Sequence, residues 1–383
     1  MNKKKKMCCI TTIASTTEVF VVEAMKRFVD EGYDVTLACT MSESFKKKYS
    51  DKFKCVNITM QRGVSIKDCL KMPFVFYNFF RREKFDYVQY ATPNASLYAS
   101  VGAWLAGVPR RVYCQWGIRY VGSQGIMRKI LKVLEHLTCS LSTHIRPASQ
   151  KNLEFAVKEG LYKKTKAGII GNGGTIGVDM SKFDISKKDK YREDVLELFP
   201  TLKNKIVFVF VGRPNDDKGC RELIEAFTKL SNERDDVRLM MICDEDDETP
   251  DYIKSVEGRE DIVFTGFTKE VYKYISAADV HVHPSYREGF SMVIQETMAM
   301  GLPVVTTDIP GPSEVIDNGV TGLLVEAQNA ESLYNGMKTM IVDTAKMKVM
   351  GMSGRKRCEE IFNRERMLRL TYEDRISIMN NNK

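Results

Sequence analysis

Short apolar runs, each followed by a longer helical pattern, recur along the 383-residue chain, pause once, and then start again. This rhythm constrains the fold more than any other feature. Strands of four to eight apolar residues separated by helices cannot pair as hairpins, so they predict a parallel sheet covered by helices on both faces. In the first half the strand candidates are Met7–Ala14, Asp34–Cys39, Cys55–Ile58, Tyr87–Tyr90, Arg111–Gln115, Ser142–Pro147 and Ala167–Ile170. A helical pattern over Thr17–Glu31 stops at Gly32, as a helix C-terminus does. Met7–Ala14 follows a run of lysines, but it carries Thr11 and Thr12 and leads into that helix without a small-residue cleavage site. It reads as a buried first strand rather than a signal sequence.

The pause falls around Lys182–Lys205, a charged stretch with one helical pattern. Beyond it the strand candidates are Ile206–Val211, Val237–Cys243, Ile262–Thr265, Val280–His283, Pro303–Thr306 and Gly322–Val325, with helices at Glu222–Leu230, Glu270–Ala277 and Val293–Met300. Residues 330–380 read as helices only. The expected organisation is an α/β chain of two doubly wound, Rossmann-like domains facing across a cleft. They span 1–183 and 203–365, with a linker at 184–202 and a C-terminal helix at 366–383 that packs back on the first domain. Open parallel sheets bind ligands beyond the carboxyl ends of their strands.

Composition narrows the class. Hydrophobic residues at 43% and charged residues at 28% exclude wholesale disorder. No apolar run reaches the ~18 residues of a spanning helix. Ten cysteines without a C-x-x-C pair suit neither a disulfide scaffold nor a zinc ribbon, and point to a reducing cytosol. Charge is uneven. Residues 1–180 hold 29 Lys and Arg against 14 Asp and Glu, and the remainder holds 29 against 36, so +15 faces −7. The basic half suits an anionic partner: nucleic acid, a membrane surface or a diphosphate.

Two segments carry candidate chemistry. In Val280–Glu326 a strand runs into a polar turn ending at Glu288, then Gly289 and a helix that stops before Gly301. The amides of Gly289, Phe290, Ser291 and Met292 fall at the helix start, where unpaired N–H groups and the helix dipole attract anions. Glu296 lies ~10 Å along that helix. Two carboxylates at this spacing suit a nucleotide-sugar, since carboxylates accept from pairs of sugar hydroxyls; a dipole-favoured acid and a solvated surface acid explain the spacing equally well. In the second segment, VGRPNDDKG, an apolar strand ends at Gly212, and Arg213 and Lys218 follow in a loop. A planar fork and a movable point charge suit a diphosphate, although an ordinary charged loop would look the same.

Together GR-x4-KG, the E-x7-E pair in EGFSMVIQE, and GLPVVTTDIPGPSEVIDNGVTGLLVE resemble glycosyltransferase family 4, most specifically over Ile206–Glu326. EGYDVTLAC and GNGGTIGVDMSKF in the first half are similar to bacterial members that build capsule, O-antigen or lipid-linked glycans. The resemblance implies a GT-B fold, retention of anomeric configuration, and no metal or other cofactor. It implies that Arg213 and Lys218 hold the donor diphosphate, that Glu288 contacts the donor sugar, that the amides of Gly289 to Met292 hold phosphate, and that Glu296 grips the ribose. By the same resemblance, Thr265 and Phe267 border the base, and Glu314 and the Gly311 turn line the cleft. The chain departs from the family pattern at Ala14–Ser15–Thr16–Thr17, which lacks glycines, at Gln115–Trp116–Gly117, where a histidine is usual, and at Cys243–Asp247.

The expected activity is therefore transfer of a hexose or N-acetylhexosamine, UDP-linked, to a glycan acceptor carried on a polyprenyl diphosphate, in cell-surface polysaccharide synthesis. A GT-B nucleotide-sugar epimerase and a non-catalytic two-lobed binding protein are the alternatives. Asp244–Glu245–Asp246 reads as a solvated acidic loop rather than a metal motif. His281 and His283 share a strand face but lack a third ligand, and read as sheet-end packing. Leu70–Phe85 mixes aromatics with Lys71, Arg81, Arg82 and Lys84. It suits an element resting on an anionic membrane surface. Burial explains the aromatics as well, and Pro73 is expected to limit a continuous helix. The expected location is the cytoplasm, peripheral on the cytoplasmic face of the inner membrane, with no nucleic-acid partner.

Overall fold

The computed structural model describes residues 5–61, 63, 65–244 and 249–380. Its contacts divide the chain into two compact units: Met1–Ile176 with Arg366–Lys383, and Gly177–Glu365.

In the first unit six strands form one sheet: β1 (Lys6–Ile13), β2 (Asp34–Thr40), β3 (Lys54–Asn57), β4 (Tyr87–Ala91), β5 (Arg110–Gln115) and β6 (His144–Pro147). Their order is β3-β2-β1-β4-β5-β6, and every pair is parallel. β1 is buried along its whole interior, Met7 to Thr12, because it is covered on both faces. One face packs Met25 and Phe28; the other packs Phe76, Phe80 and Tyr98. From Arg366 onward the last helix of the chain belongs to this unit. Arg375 is buried there and donates to Gln89 at 3.2 Å, and Asp374 pairs with Arg146 at 2.7 Å.

Two expectations fail here. Ala167–Ile170 is not a strand: only Ala167 bridges to Ile145, and the glycines at 168, 171, 173 and 174 carry the chain away before a ladder forms. Pro73 does not interrupt its helix, which runs unbroken over Ile66–Glu83. The helix Pro93–Leu105 presses on it at this point. A Cβ on Gly102 would lie 2.6 Å from Phe76 Cβ and 2.9 Å from the Pro73 carbonyl oxygen. Tight packing over two long helices outweighs the ~3 kcal/mol that an internal proline costs.

The second unit repeats the plan. Its strands are β7 (Ile206–Val211), β8 (Val237–Ile242), β9 (Ile262–Phe264), β10 (Val280–His283), β11 (Val304–Thr307) and β12 (Gly322–Val325). The order is β12-β11-β10-β7-β8-β9, all parallel. Read from the other edge, this is the same winding as in the first unit. In both units the chain reverses its direction of travel beside the first strand, between β1 and β4 and between β7 and β10. A crevice opens at such a switch point, beyond the carboxyl ends of the strands. Among the described residues no helix is long and apolar enough to cross a membrane.

Candidate active site

In the second unit the two loops that flank the switch point are those following β7 and β10. The β7 loop makes a short turn at Asp216–Lys218, capped by Asn215, and reaches Gly219 at φ +69°. A Cβ on Gly219 would lie 2.1 Å from the Pro284 carbonyl oxygen, so only glycine lets this loop close onto the β10 loop. The two are stitched further. Tyr286 N donates to the Asp217 carbonyl at 2.9 Å, and Arg287 pairs with Asp217 at 2.7 Å. A third loop joins them at Gly311, φ +98°, where a Cβ would lie 2.6 Å from the Gly289 carbonyl oxygen.

This closure brings Lys218 onto Glu288. The Lys218 ammonium donates to Glu288 Oε1, which also receives Ser285 Oγ at 3.3 Å and lies 3.1 Å from His283 Nε2. Burial alone would raise the Glu288 carboxyl. The Lys218 charge and the His283 hydrogen bond overcome it and hold the group well below the usual carboxylate range. His283 sits within the sheet, and burial pushes its pKa down despite Glu288. A neutral imidazole donating to Glu288 carries its proton on Nε2, so His283 does more than pack. His281 Nδ1, on the same face, lies 2.8 Å from Thr297 Oγ1, a hydrogen bond that ties β10 to the following helix.

That helix spans Met292–Ala299 and begins at Ser291, whose Oγ accepts from Ile294 N at 3.4 Å. Gly289, Phe290, Ser291 and Met292 lead into it. The Phe290 side chain is buried, 5.5 Å from the Phe362 ring, so only its backbone faces the site. Glu296 is half-buried, and burial pushes its carboxyl up to about 7 against the lowering charges of Lys182 and Arg364. The two carboxylates of one motif are thus driven in opposite directions. Glu314 Oε1 accepts from Gly311 N at 3.3 Å and braces the third loop.

The remaining expected residues are more dispersed. Gly212 and Arg213 follow β7; Arg213 is exposed, and its guanidinium has no partner among the described residues. Thr265 and Phe267 follow β9, two strands from β7 in the sheet, with Phe267 67% exposed. Among the described residues, no hydrogen bond joins this pair to the Glu288 cluster. Asp244 ends a described segment, and Glu245 and Asp246 lie outside the described residues. In the first unit Gln115 is turned inward, donating to Glu135 at 2.6 Å and accepting from Tyr162 at 2.9 Å. The sequence reasoning missed Ser285, Asp217 and Arg287. Only the alternation of His283 with Ser285, which puts both on the same side of the chain as it leaves β10, could have signalled one of them.

Two family models match the chain: "Glycosyl transferases group 1" over residues 194–357, and "Glycosyl transferase 4-like" over residues 9–144. The chain is 28% identical over 320 residues to the capsular polysaccharide biosynthesis glycosyltransferase CapM of Staphylococcus aureus, covering 82% of this chain and 83% of that one. It is 25% identical over 343 residues to an Escherichia coli UDP-Gal:alpha-D-GlcNAc-diphosphoundecaprenol alpha-1,3-galactosyltransferase, covering 87% and 86%. Among solved structures, Anabaena Alr3699/HepE in complex with UDP shares the fold at TM-score 0.78 and 19% identity, over 97% of this chain and 100% of that one. The chain belongs to the GT-B glycosyltransferases of the family 4-like type, and it is an enzyme of that class.

Proposed function

We propose that this glycosyltransferase moves a hexose or N-acetylhexosamine from a UDP-sugar to a glycan on a polyprenyl diphosphate, with retention of configuration, in cell-surface polysaccharide synthesis. The observation that carries the reading is the convergence of Lys218, His283 and Ser285 on Glu288 at the switch point, with the Arg213 guanidinium open beside β7. The E. coli relative is named for a UDP-linked donor and a diphosphoundecaprenol acceptor, and a Campylobacter jejuni relative, 31% identical over 202 residues, for a diphospho-undecaprenol acceptor.

Negative charge builds on the departing diphosphate as the sugar becomes oxocarbenium-like. Arg213, Lys218 and the backbone amides from Gly289 to Met292 meet that charge in a preorganised site. With the diphosphate bound, Lys218 is shared between phosphate and Glu288. His283 and Ser285 then keep Glu288 oriented toward the sugar hydroxyls. Glu296 takes the ribose diol, and Thr265 and Phe267 border the base. No covalent nucleophile is assigned. The leaving phosphate helps deprotonate the acceptor hydroxyl on the same face, so configuration is kept. Arg213 and Lys218 supply the neutralisation, and metal independence is part of the proposal. The enzyme works on the cytoplasmic face of the inner membrane.

The test is transfer from radiolabelled UDP-sugars to an undecaprenyl-diphosphate-linked acceptor, with the product anomer read by NMR and a chelator in a parallel reaction. The expected product keeps the donor's anomeric configuration and forms at an unchanged rate with the chelator. An inverted product, loss of rate on chelation, or an altered sugar nucleotide formed without acceptor would each overturn the assignment.

A further inference from the structure

The helix Gly125–Leu141 in the first unit is apolar on the wrong side. Leu131, Thr138 and Cys139 turn into the core, and Glu135 is buried under hydrogen bonds from Tyr113 and Gln115. The opposite side should be polar. Instead it presents Ile126 at 76% exposure, Ile130 at 44%, Val133 at 67% and Leu137 at 38%. At 3.6 residues per turn these four fall within a sector of about 60°, so they form one stripe. The helix Ile66–Glu83 feeds Met72, Phe76 and Phe80 into the same core cluster as Leu131. Its outward side carries Leu70 at 69% and Phe74 at 64%. Both helices lie over one face of the sheet, so both outward rows look away from it.

Charge indicates what covers this surface. Lys67, Lys71 and Arg81 share the outward row with Leu70 and Phe74, and Lys129 edges the stripe; among the described residues none of the four makes an ion pair. Acids are scarce. The sequence has no Asp or Glu between Asp86 and Glu135. Glu83 is held by Lys54 at 2.6 Å, and Glu159 by Lys132 at 2.8 Å. Asp68, half-buried in the first helix's opening turn, is the remaining acid on these two helices. Exposed aliphatic and aromatic side chains interleaved with unpaired cations match a bilayer interface with acidic headgroups: the stripe enters the acyl boundary and the bases meet phosphate.

We propose that the outward rows of Ile66–Glu83 and Gly125–Leu141 are a docking face for an anionic lipid bilayer. The proposal stands on the first unit alone and survives failure of the donor-site reading.

The test is flotation of the purified full chain with phosphatidylcholine vesicles, with and without phosphatidylglycerol. Binding to the acidic vesicles is expected to exceed binding to neutral ones by about tenfold, and to fall at ~0.5 M salt as headgroup attraction is screened. Ile130→Ser with Val133→Ser is expected to lower binding about fivefold with unchanged thermal unfolding, since both sites are exposed. Lys71→Glu with Lys129→Glu removes the acidic-lipid preference and keeps the proposal testable if the serine variant misfolds. Val342→Ser, 76% exposed in the second unit, should change nothing. Equal binding to both vesicle types, no binding, or variants that bind like wild type would overturn the proposal. So would serine changes that split a dimer in lipid-free solution, which would assign the face to a second copy of the chain.

Discussion

The two units wind their strands in the same order, yet their switch points are chemically opposite. In the first, the loops after β1 and β4 are closed by hydroxyls. Thr11 Oγ1 lies 2.6 Å from Thr17 Oγ1, and Thr12 Oγ1 lies 2.7 Å from Thr92 Oγ1. Thr92 holds φ +68°, rare for a β-branched residue, and its hydroxyl also takes the Thr12 amide at 3.0 Å. In the second, the equivalent loops hold Lys218 and Glu288, with His283 at the end of β10. Identical topology makes a crevice in both; only the side chains decide whether it is a neutral latch or a charged cradle. Function therefore has to be read from the loops, not from the winding.

The comparison breaks most sharply at Lys218 and Glu288. Lys218→Ala or Glu288→Ala is expected to lower transfer by about 10²–10³-fold with the fold intact, as loss of a preorganised charge does. Near-normal initial rates in both variants would remove the charged cradle. Glu296→Gln is expected to act on stability and its pH dependence. The folded carboxyl titrates at about 7 and the unfolded one near its ordinary 4.5, so the native state holds a proton that the unfolded chain releases. Wild type then loses stability as pH rises from 4.5 through 7. The variant does not, and above pH 7 it should be the more stable by on the order of 1–2 kcal/mol. Thermal unfolding at pH 5 and pH 8 checks this; parallel pH curves for the two proteins would contradict it.

His283→Phe keeps the buried volume and removes the donor to Glu288. Transfer should fall by about tenfold, and His283→Gln should recover part of the loss if positioning through that hydrogen bond is the role. At the neutral switch point, Thr17→Val should cost about 1 kcal/mol of stability and leave donor binding unchanged. A comparable loss of nucleotide binding, measured by calorimetry, would mean that the first crevice also serves the donor.

Most of the fold was legible. β7 and β10 were placed to the residue, because an apolar run bounded by polar loops has one reading in a parallel sheet. Ala167–Ile170 misled because a short apolar run satisfies the same pattern, while Gly168 within it and Gly171, Gly173 and Gly174 just after it disfavour a strand. Pro73 misled because a local rule on proline ignored the packing of Gly102 against it. The site was legible as elements but not as contacts. GR-x4-KG and E-x7-E located both loops, but neither motif signals that the Lys218 ammonium pairs with the Glu288 carboxylate.

Apolar spacing along the chain determined the two parallel sheets and the loops that flank each crevice, since burial and backbone pairing follow a local periodicity. Tertiary structure alone decided that Lys218 meets Glu288 across 70 residues of chain, that His283 donates instead of merely packing, and that the apolar residues of Gly125–Leu141 divide into an inner and an outer row. Coulomb attraction, hydrogen-bond geometry and burial depend on distance in space, and a wide apolar helix face gives no local sign of which part of it will meet the core.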